Sequence, residues 1–195
     1  MLNKYFTSEY RLKLIFNGIL LIHFLDLLLF CVNFLFVYSD SDQTILWQAA
    51  KDMCNGMFYE PAFYGQAYNT MVEALLAVPF IKLNLFIPYA LAVSSVIFSY
   101  SVIWIFSRYY FKRQNYLLAI LCLALPIILP TEFQIMITIS RGFIPRISFT
   151  LFGVYMLLTY QGRLKLIFAG FFLAMGFIFN PNSSVILSAF SVYYL

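Results

Sequence analysis

An all-α, polytopic transmembrane helix bundle of about five to six spans, with interfacial helices in its first outer loop, is the fold this sequence predicts. Three observations lead there. Hydrophobic residues make up 63% of the chain and charged residues only 10%, whereas a soluble domain carries about a quarter charged residues to cover itself. The apolar residues gather in runs long enough to cross roughly 30 Å of hydrocarbon. Eight of the twelve basic residues fall in three short clusters: Lys4, Arg11 and Lys13; Arg108, Lys112 and Arg113; Arg163 and Lys165. Threading the apolar runs back and forth puts all three on one side, as expected of cytoplasmic loops.

The net charge of +4 is thereby accounted for, and no nucleic-acid partner is implied. Cys31, Cys54 and Cys122 are odd in number, and two of them sit in apolar runs, so no disulfide framework or metal-ligand spacing is present. Neither a metal nor a cofactor is expected. The apolar run from Leu14 is too long for a signal peptide, and no small-residue cleavage site follows it, so it is expected to stay as a signal anchor. The expected placement is integral to the plasma membrane (the inner membrane of a bacterium), with the N-terminus cytoplasmic.

In chain order, the first span covers about residues 14–38. It carries His23 and Asp26 one helical turn apart, on one face. Ionisable groups at that depth face protein or water, either as a mutual pair or contact to a neighbouring helix, or as a proton relay. Residues 39–83 form the first extracytoplasmic loop, which holds five of the eight acidic residues: Asp40, Asp42, Asp52, Glu60 and Glu73. A loop of that length is more often functional than a plain connector.

Within the loop, residues 43–54 have Ile45, Leu46, Ala49, Ala50 and Met53 on one helical stripe, with Thr44, Gln48, Lys51 and Asp52 opposite. Asn55 and Gly56 suit a helix stop. This segment is too short to span and is expected to lie in the interface. Glu60 and Pro61 break the backbone, residues 63–69 make an aromatic turn, and a second helix runs from near Thr70 to between Pro79 and Lys82.

Residues 71–106 could hold two spans or one. The single cut, an interfacial or re-entrant piece and then a span over about 86–106, keeps Arg108, Lys112 and Arg113 inside and is preferred. Further spans follow over about 116–130, 147–160 and 166–179. Residues 131–146 form an outer loop, and Asn180 to Ser183 an outer turn. The last apolar run stops at Leu195 after too few residues to cross. Residues 1–195 are therefore expected to be one transmembrane domain that is the N-terminal part of something longer.

Two features of the outer face could carry chemistry. Asp40 and Asp42 stand just ahead of the interfacial helix. One can cap it by accepting a backbone N–H; the other reading is a general base at the bilayer surface. Arg141 and Arg146 lie on the side that otherwise lacks basic residues. They can either snorkel to ordinary headgroups or hold a phosphate with the guanidinium fork.

The order of span, acidic pair, interfacial helix, glycine, P-x-F-Y-G-Q-x-Y and a helix opening with Glu resembles the N-terminal half of the GT-C membrane glycosyltransferases. The protein O-mannosyltransferase-like and lipid A aminoarabinose transferase-like branch is the nearest. Asp42, Trp47, Ala50, Gly56, Pro61, Phe63, Tyr64, Gly65, Gln66, Tyr68, Glu73 and Pro79 carry the resemblance, and Asn180 with Pro181 adds to it. That branch usually shows Asp-Glu where this chain has Asp42 and Gln43, with Asp40 as an extra acid.

The resemblance implies an inverting transfer on the extracytoplasmic face, from a polyprenyl-phosphate-linked sugar donor to an acceptor hydroxyl of unspecified origin. Asp42 would be the base, with Asp40 beside it. Arg141 or Arg146 would hold the donor phosphate. Tyr64, Gln66 and Tyr68 would shape the cleft, with Glu73 opening the helix that follows. The metal-independent branch fits this loop better than the oligosaccharyltransferase branch. Residues 1–195 alone are expected to be inactive, because the second half usually completes the acceptor site. Two other functions remain open: a transporter or lipid-carrier flippase, and a membrane subunit that keeps the fold without the chemistry.

Overall fold

A computed structural model describes residues 8–34, 39–60, 62, 64–65, 69–128, 130, 139, 144–159 and 161–194. These residues are helical almost throughout, and no strand ladder occurs among them; a lone antiparallel bridge joins Ala62 to Thr70. The helices are α1 (Ser8–Phe34), α2 (Ser41–Cys54), α3 (Val72–Lys82), α4 (Ile87–Lys112), α5 (Tyr116–Ile128), α6 (Ile144–Thr159), α7 (Arg163–Phe179) and α8 (Ser184–Tyr194). A 3-10 turn, Pro181–Ser183, joins the last two. Among the described residues, two segments are long and apolar enough to cross a membrane, Tyr10–Phe30 and Ile87–Lys112.

The preferred single span after the first loop corresponds to α4, one unbroken helix of 26 residues. The piece ahead of it, α3, has only 11 residues, or about 16 Å at 1.5 Å per residue, and cannot span. Three helices end in the same way. Asn55 and Gly56 stop α2: Met57 N–H donates to Asp52 O at 2.9 Å and Gly56 N–H to Met53 O at 3.0 Å, with Gly56 at φ +78°. This paired closure satisfies carbonyls that the helix leaves open. Asn84 and Gln114 close α3 and α4 in the same geometry without glycine, at φ +66° and +59°. Asn115 then begins α5, its Oδ1 accepting Leu118 N–H at 3.3 Å.

α4 is the hub, packed against α1, α2, α3, α5 and α6. At its start, Ala90 and Leu91 join Leu46, Ala49 and Ala50 of α2 and Met71, Ala74 and Ala77 around α3 in one buried cluster. Lower down, Leu27 of α1 meets Ala92 and Val96. At the far end Phe16 of α1 contacts Phe111, with ring centroids 4.4 Å apart. α1 and α4 are therefore antiparallel. α6 runs parallel to α4, because Ser148 donates to Phe98 O at 2.9 Å while Lys112 donates to Tyr155 OH at 3.3 Å.

These pairings sort the bundle into two ends. Arg11 and Lys13, Arg108, Lys112 and Arg113, and Arg163 and Lys165 share one end. There the guanidinium of Arg108 lies 5.4 Å from the Trp104 ring centre and that of Arg113 lies 4.5 Å from Tyr109, contacts that favour a cation over an aromatic face. The opposite end holds Asp40, α2, α3, the start of α6 and the close of α7.

His23 and Asp26 sit on neighbouring arcs of α1 that differ in burial. His23 is 1% exposed, on the inward stripe of Phe16, Leu20 and Leu27, whereas Asp26, beside it, is exposed. Three residues along a helix leave an offset of about 60°, and the edge of the packed stripe falls between them. No hydrogen bond engages either His23 nitrogen among the described residues, so the two are not hydrogen-bonded to each other, although the Asp26 charge reaches His23.

α6 and α7 approach closely through glycine. A Cβ on Gly176 would collide with Thr150 Oγ1 and lie 3.1 Å from Thr150 N and 3.2 Å from Arg146 O. Gly170 on the same helix meets nothing within 4 Å. Gly176→Ala is therefore expected to destabilise the bundle by about 1–3 kcal/mol through overpacking. Gly170→Ala is expected to stabilise it by about 0.5–1 kcal/mol through helix propensity. Thermal unfolding of the two purified variants in detergent measures the difference; equal behaviour would refute the close approach.

Candidate functional site

The first turn of α2 separates the two leading acids. Asp40 is the N-cap, with extended backbone (φ −130°, ψ −177°), and its Oδ1 accepts Gln43 N–H at 3.1 Å. Capping is thus assigned to Asp40. Asp42, two residues further on, is half-buried and makes no hydrogen bond or ion pair among the described residues. Its carboxylate sits where the unsatisfied N–H groups of the helix start favour negative charge.

Gln43 holds the third helical position, where in a reciprocal capping box the side chain returns a bond to the N-cap N–H. That bond is not made. Gln43 is fully buried, and neither end of its amide has a partner among the described residues. Glu73, in the first turn of α3, is also fully buried, and its backbone carbonyl accepts Ser94 Oγ at 3.0 Å. Both lie on the inward sides of α2 and α3, with the alanine-rich cluster that packs against α4. Glu73 therefore reaches no open cleft.

Asp52 departs from the predicted pattern. The stripe reading placed it on the solvent side of α2, yet it is 6% exposed. Its Oδ1 accepts Gln48 Nε2 at 2.8 Å and its Oδ2 accepts the Tyr64 hydroxyl at 3.2 Å. The chain after Gly56 returns over α2 and covers the carboxylate. Burial first, and then the Asp52 charge beside it, push the Tyr64 phenol above its ordinary pKa, so it remains a donor. Tyr64 thus ties the aromatic turn to α2.

Arg146 lies in the first turn of α6. Its Nη1 donates to Asn180 Oδ1 at 2.9 Å. The same oxygen accepts Asn182 N–H at 2.9 Å, and Asn180 Nδ2 donates to Asn69 Oδ1. Asn180 is fully buried and Asn69 is 4% exposed. One asparagine therefore joins the start of α6, the close of α7 and the residue that leaves the aromatic turn. Sequence reasoning noted Asn180 as part of a turn and, with Pro181, of the resemblance, but missed this junction. The available signal was an asparagine held directly before proline between two apolar helices.

Of the predicted site residues, Asp40, Asp42, Tyr64, Glu73 and Arg146 lie at the same end of the bundle. Arg141, Gln66 and Tyr68 lie outside the described residues. On the far side of α2 an open groove of about 340 Å³ is lined by Thr44, Trp47, Gln48, Lys51, Phe86, Ile87 and Pro88. Lys51 lies about half a turn round the helix from Asp42, so the groove and that acid are separate features. No family model, curated protein or solved structure matches this chain.

Loss of the cap and loss of the unbonded acid should behave differently. Asp40→Ala is expected to cost about 1 kcal/mol of stability, and Asp42→Asn less than about 0.5 kcal/mol. Asn180→Ala, which strips a hydrogen bond from a guanidinium and another from the buried Asn69, should cost about 2–3 kcal/mol. Denaturation midpoints of the three variants give the order; a larger loss for Asp42→Asn than for Asp40→Ala would reverse the assignment.

Proposed function

We propose that this chain is the N-terminal membrane portion of a GT-C-type glycosyltransferase that moves a sugar from a polyprenyl-phosphate donor to an acceptor hydroxyl. In this reading α5, α6, α7 and α8 join α1 and α4 as spans, five to six in all. The basic end is cytoplasmic, and the end bearing Asp42 faces the extracytoplasmic side. The observation that carries the reading is the division of labour in the first turn of α2. Asp40 is committed to the cap, and Asp42 is left beside it with no hydrogen-bond partner among the described residues.

A carboxylate so placed can act as general base. It takes the proton of the acceptor hydroxyl while that oxygen attacks the anomeric carbon from the face opposite the leaving phosphate. The bond to the polyprenyl phosphate breaks with its electron pair on the phosphate oxygen, giving inversion. Guanidinium groups hold the charge that develops there. Arg146 stands at the correct end, with one Nη committed to Asn180. Arg141 is the other candidate. Tyr64, with Gln66 and Tyr68 of the aromatic turn, would border the sugar.

The mid-bilayer relay that a proton-coupled transporter needs would use a hydrogen bond between His23 and Asp26, and His23 makes none among the described residues.

The test uses the complete protein in its own membranes, with a radiolabelled polyprenyl-phosphate sugar. Asp42→Asn should lower transfer by about 10²- to 10⁴-fold, the range for loss of a general base, with unchanged abundance. Asp40→Asn should retain most transfer. Full activity in Asp42→Asn would end the assignment.

A further inference from the structure

We infer that the lipid-facing side of α1 is a docking face for a membrane helix of another polypeptide, one that carries a lysine or arginine within its span. The inference rests on the reading of α1 as a transmembrane helix. Asp26 is exposed on that side and makes no hydrogen bond or ion pair among the described residues. Its neighbour Leu27 packs on Ala92 and Val96, five and nine residues into α4. That depth is roughly 8–13 Å below the start of α4, within the hydrocarbon. The residues around Asp26 are apolar and open: Ile22 is 67% exposed, Leu25 47% and Leu29 61%. A carboxylate there has no hydrogen bond or ion pair among the described residues; its charge reaches His23, one turn away, but no hydrogen bond joins the two, and intramembrane acids are found paired.

Gly18, Ile22, Leu25, Asp26, Leu29 and Asn33 follow the three- and four-residue spacing of one helix seam. A Cβ on Gly18 would meet nothing within 4 Å, so a second backbone can come close there. Charge selects the occupant. A second copy related by a two-fold axis would bring Asp26 against Asp26. Nor does the described part of a second copy offer a cation at this depth. Its helical lysines and arginines lie at the basic end, on α2 or α3, or at the start of α6. A basic residue on a foreign span supplies what this seam lacks.

The test places a photo-crosslinking phenylalanine analogue at Ile22 in the complete chain, expressed in its own membrane. The expected product is an adduct with a different protein, whose cross-linked peptide maps to a span containing Lys or Arg. Its yield should fall at least ten-fold in Asp26→Leu and persist in Asp26→Glu. Asp26→Lys combined with an acid at the partner's basic position should restore it. A homodimer adduct, an adduct to another segment of the same chain, lipid adducts alone, a partner span with no basic residue, or an adduct indifferent to Asp26→Leu would each overturn the inference. Ile22→Cys separates the two readings. Labelling by a membrane-impermeant maleimide would remove α1 from the bilayer and both readings with it. A cysteine shielded from that reagent, with no protein adduct in the first experiment, sinks the docking face alone.

Discussion

Close packing on α4 is the constraint on which the rest of the structure depends. The first half of that helix presents Ala90, Ala92, Ser94, Ser95 and Ser99, all buried, where larger side chains would hold neighbours apart. Small residues let backbones approach where dispersion and hydrogen bonds must replace the hydrophobic effect. Ser94 bonds the backbone of α3 and the backbone of α4 accepts Ser148 of α6, so the same surface that packs also fixes register. α1, α2, α3 and α6 converge there, and their termini define the end of the bundle that carries the acids.

Polar side chains buried at that end hold segments that the chain leaves far apart. Asn180 joins Asn69 and Arg146 across separations of 111 and 34 residues. Asp52 draws Tyr64 back over α2. In an apolar surround each such bond is worth more than in water, and each orphaned group costs more. A guanidinium tied to a buried amide cannot swing freely. Arg146 is therefore held in place at the start of α6, as the proposed contact with a donor phosphate would require. The buried amide of Gln43 and the hydroxyls of Thr70 and Ser183 depart from this saturation, with no hydrogen-bond partner among the described residues.

α1 has a different character. Its inward stripe of Phe16, Leu20, His23 and Leu27 satisfies the bundle, while its outward side combines bare aliphatic surface with one carboxylate. An enzyme core has no evident use for that charge, and an assembly contact does. The proposed chemistry and the proposed contact thus draw on different helices, α2 and α1, and neither needs the other to operate.

Composition and periodicity determined the helical class, the two long apolar segments, the non-spanning nature of α2 and α3, and the Asn55–Gly56 stop. Those features depend on side chains within one helix or one turn, so local spacing exposes them. Pattern also limited the cap of α2 to two aspartates. Only the folded chain decided between them, because the choice depends on where the chain leaves α1 and enters α2. The burial of Asp52, the parting of His23 from Asp26 and the Asn69–Asn180–Arg146 junction were likewise settled by tertiary contact. A helical wheel fixes the angle between two residues, but which arc of the wheel is covered depends on neighbours distant in sequence.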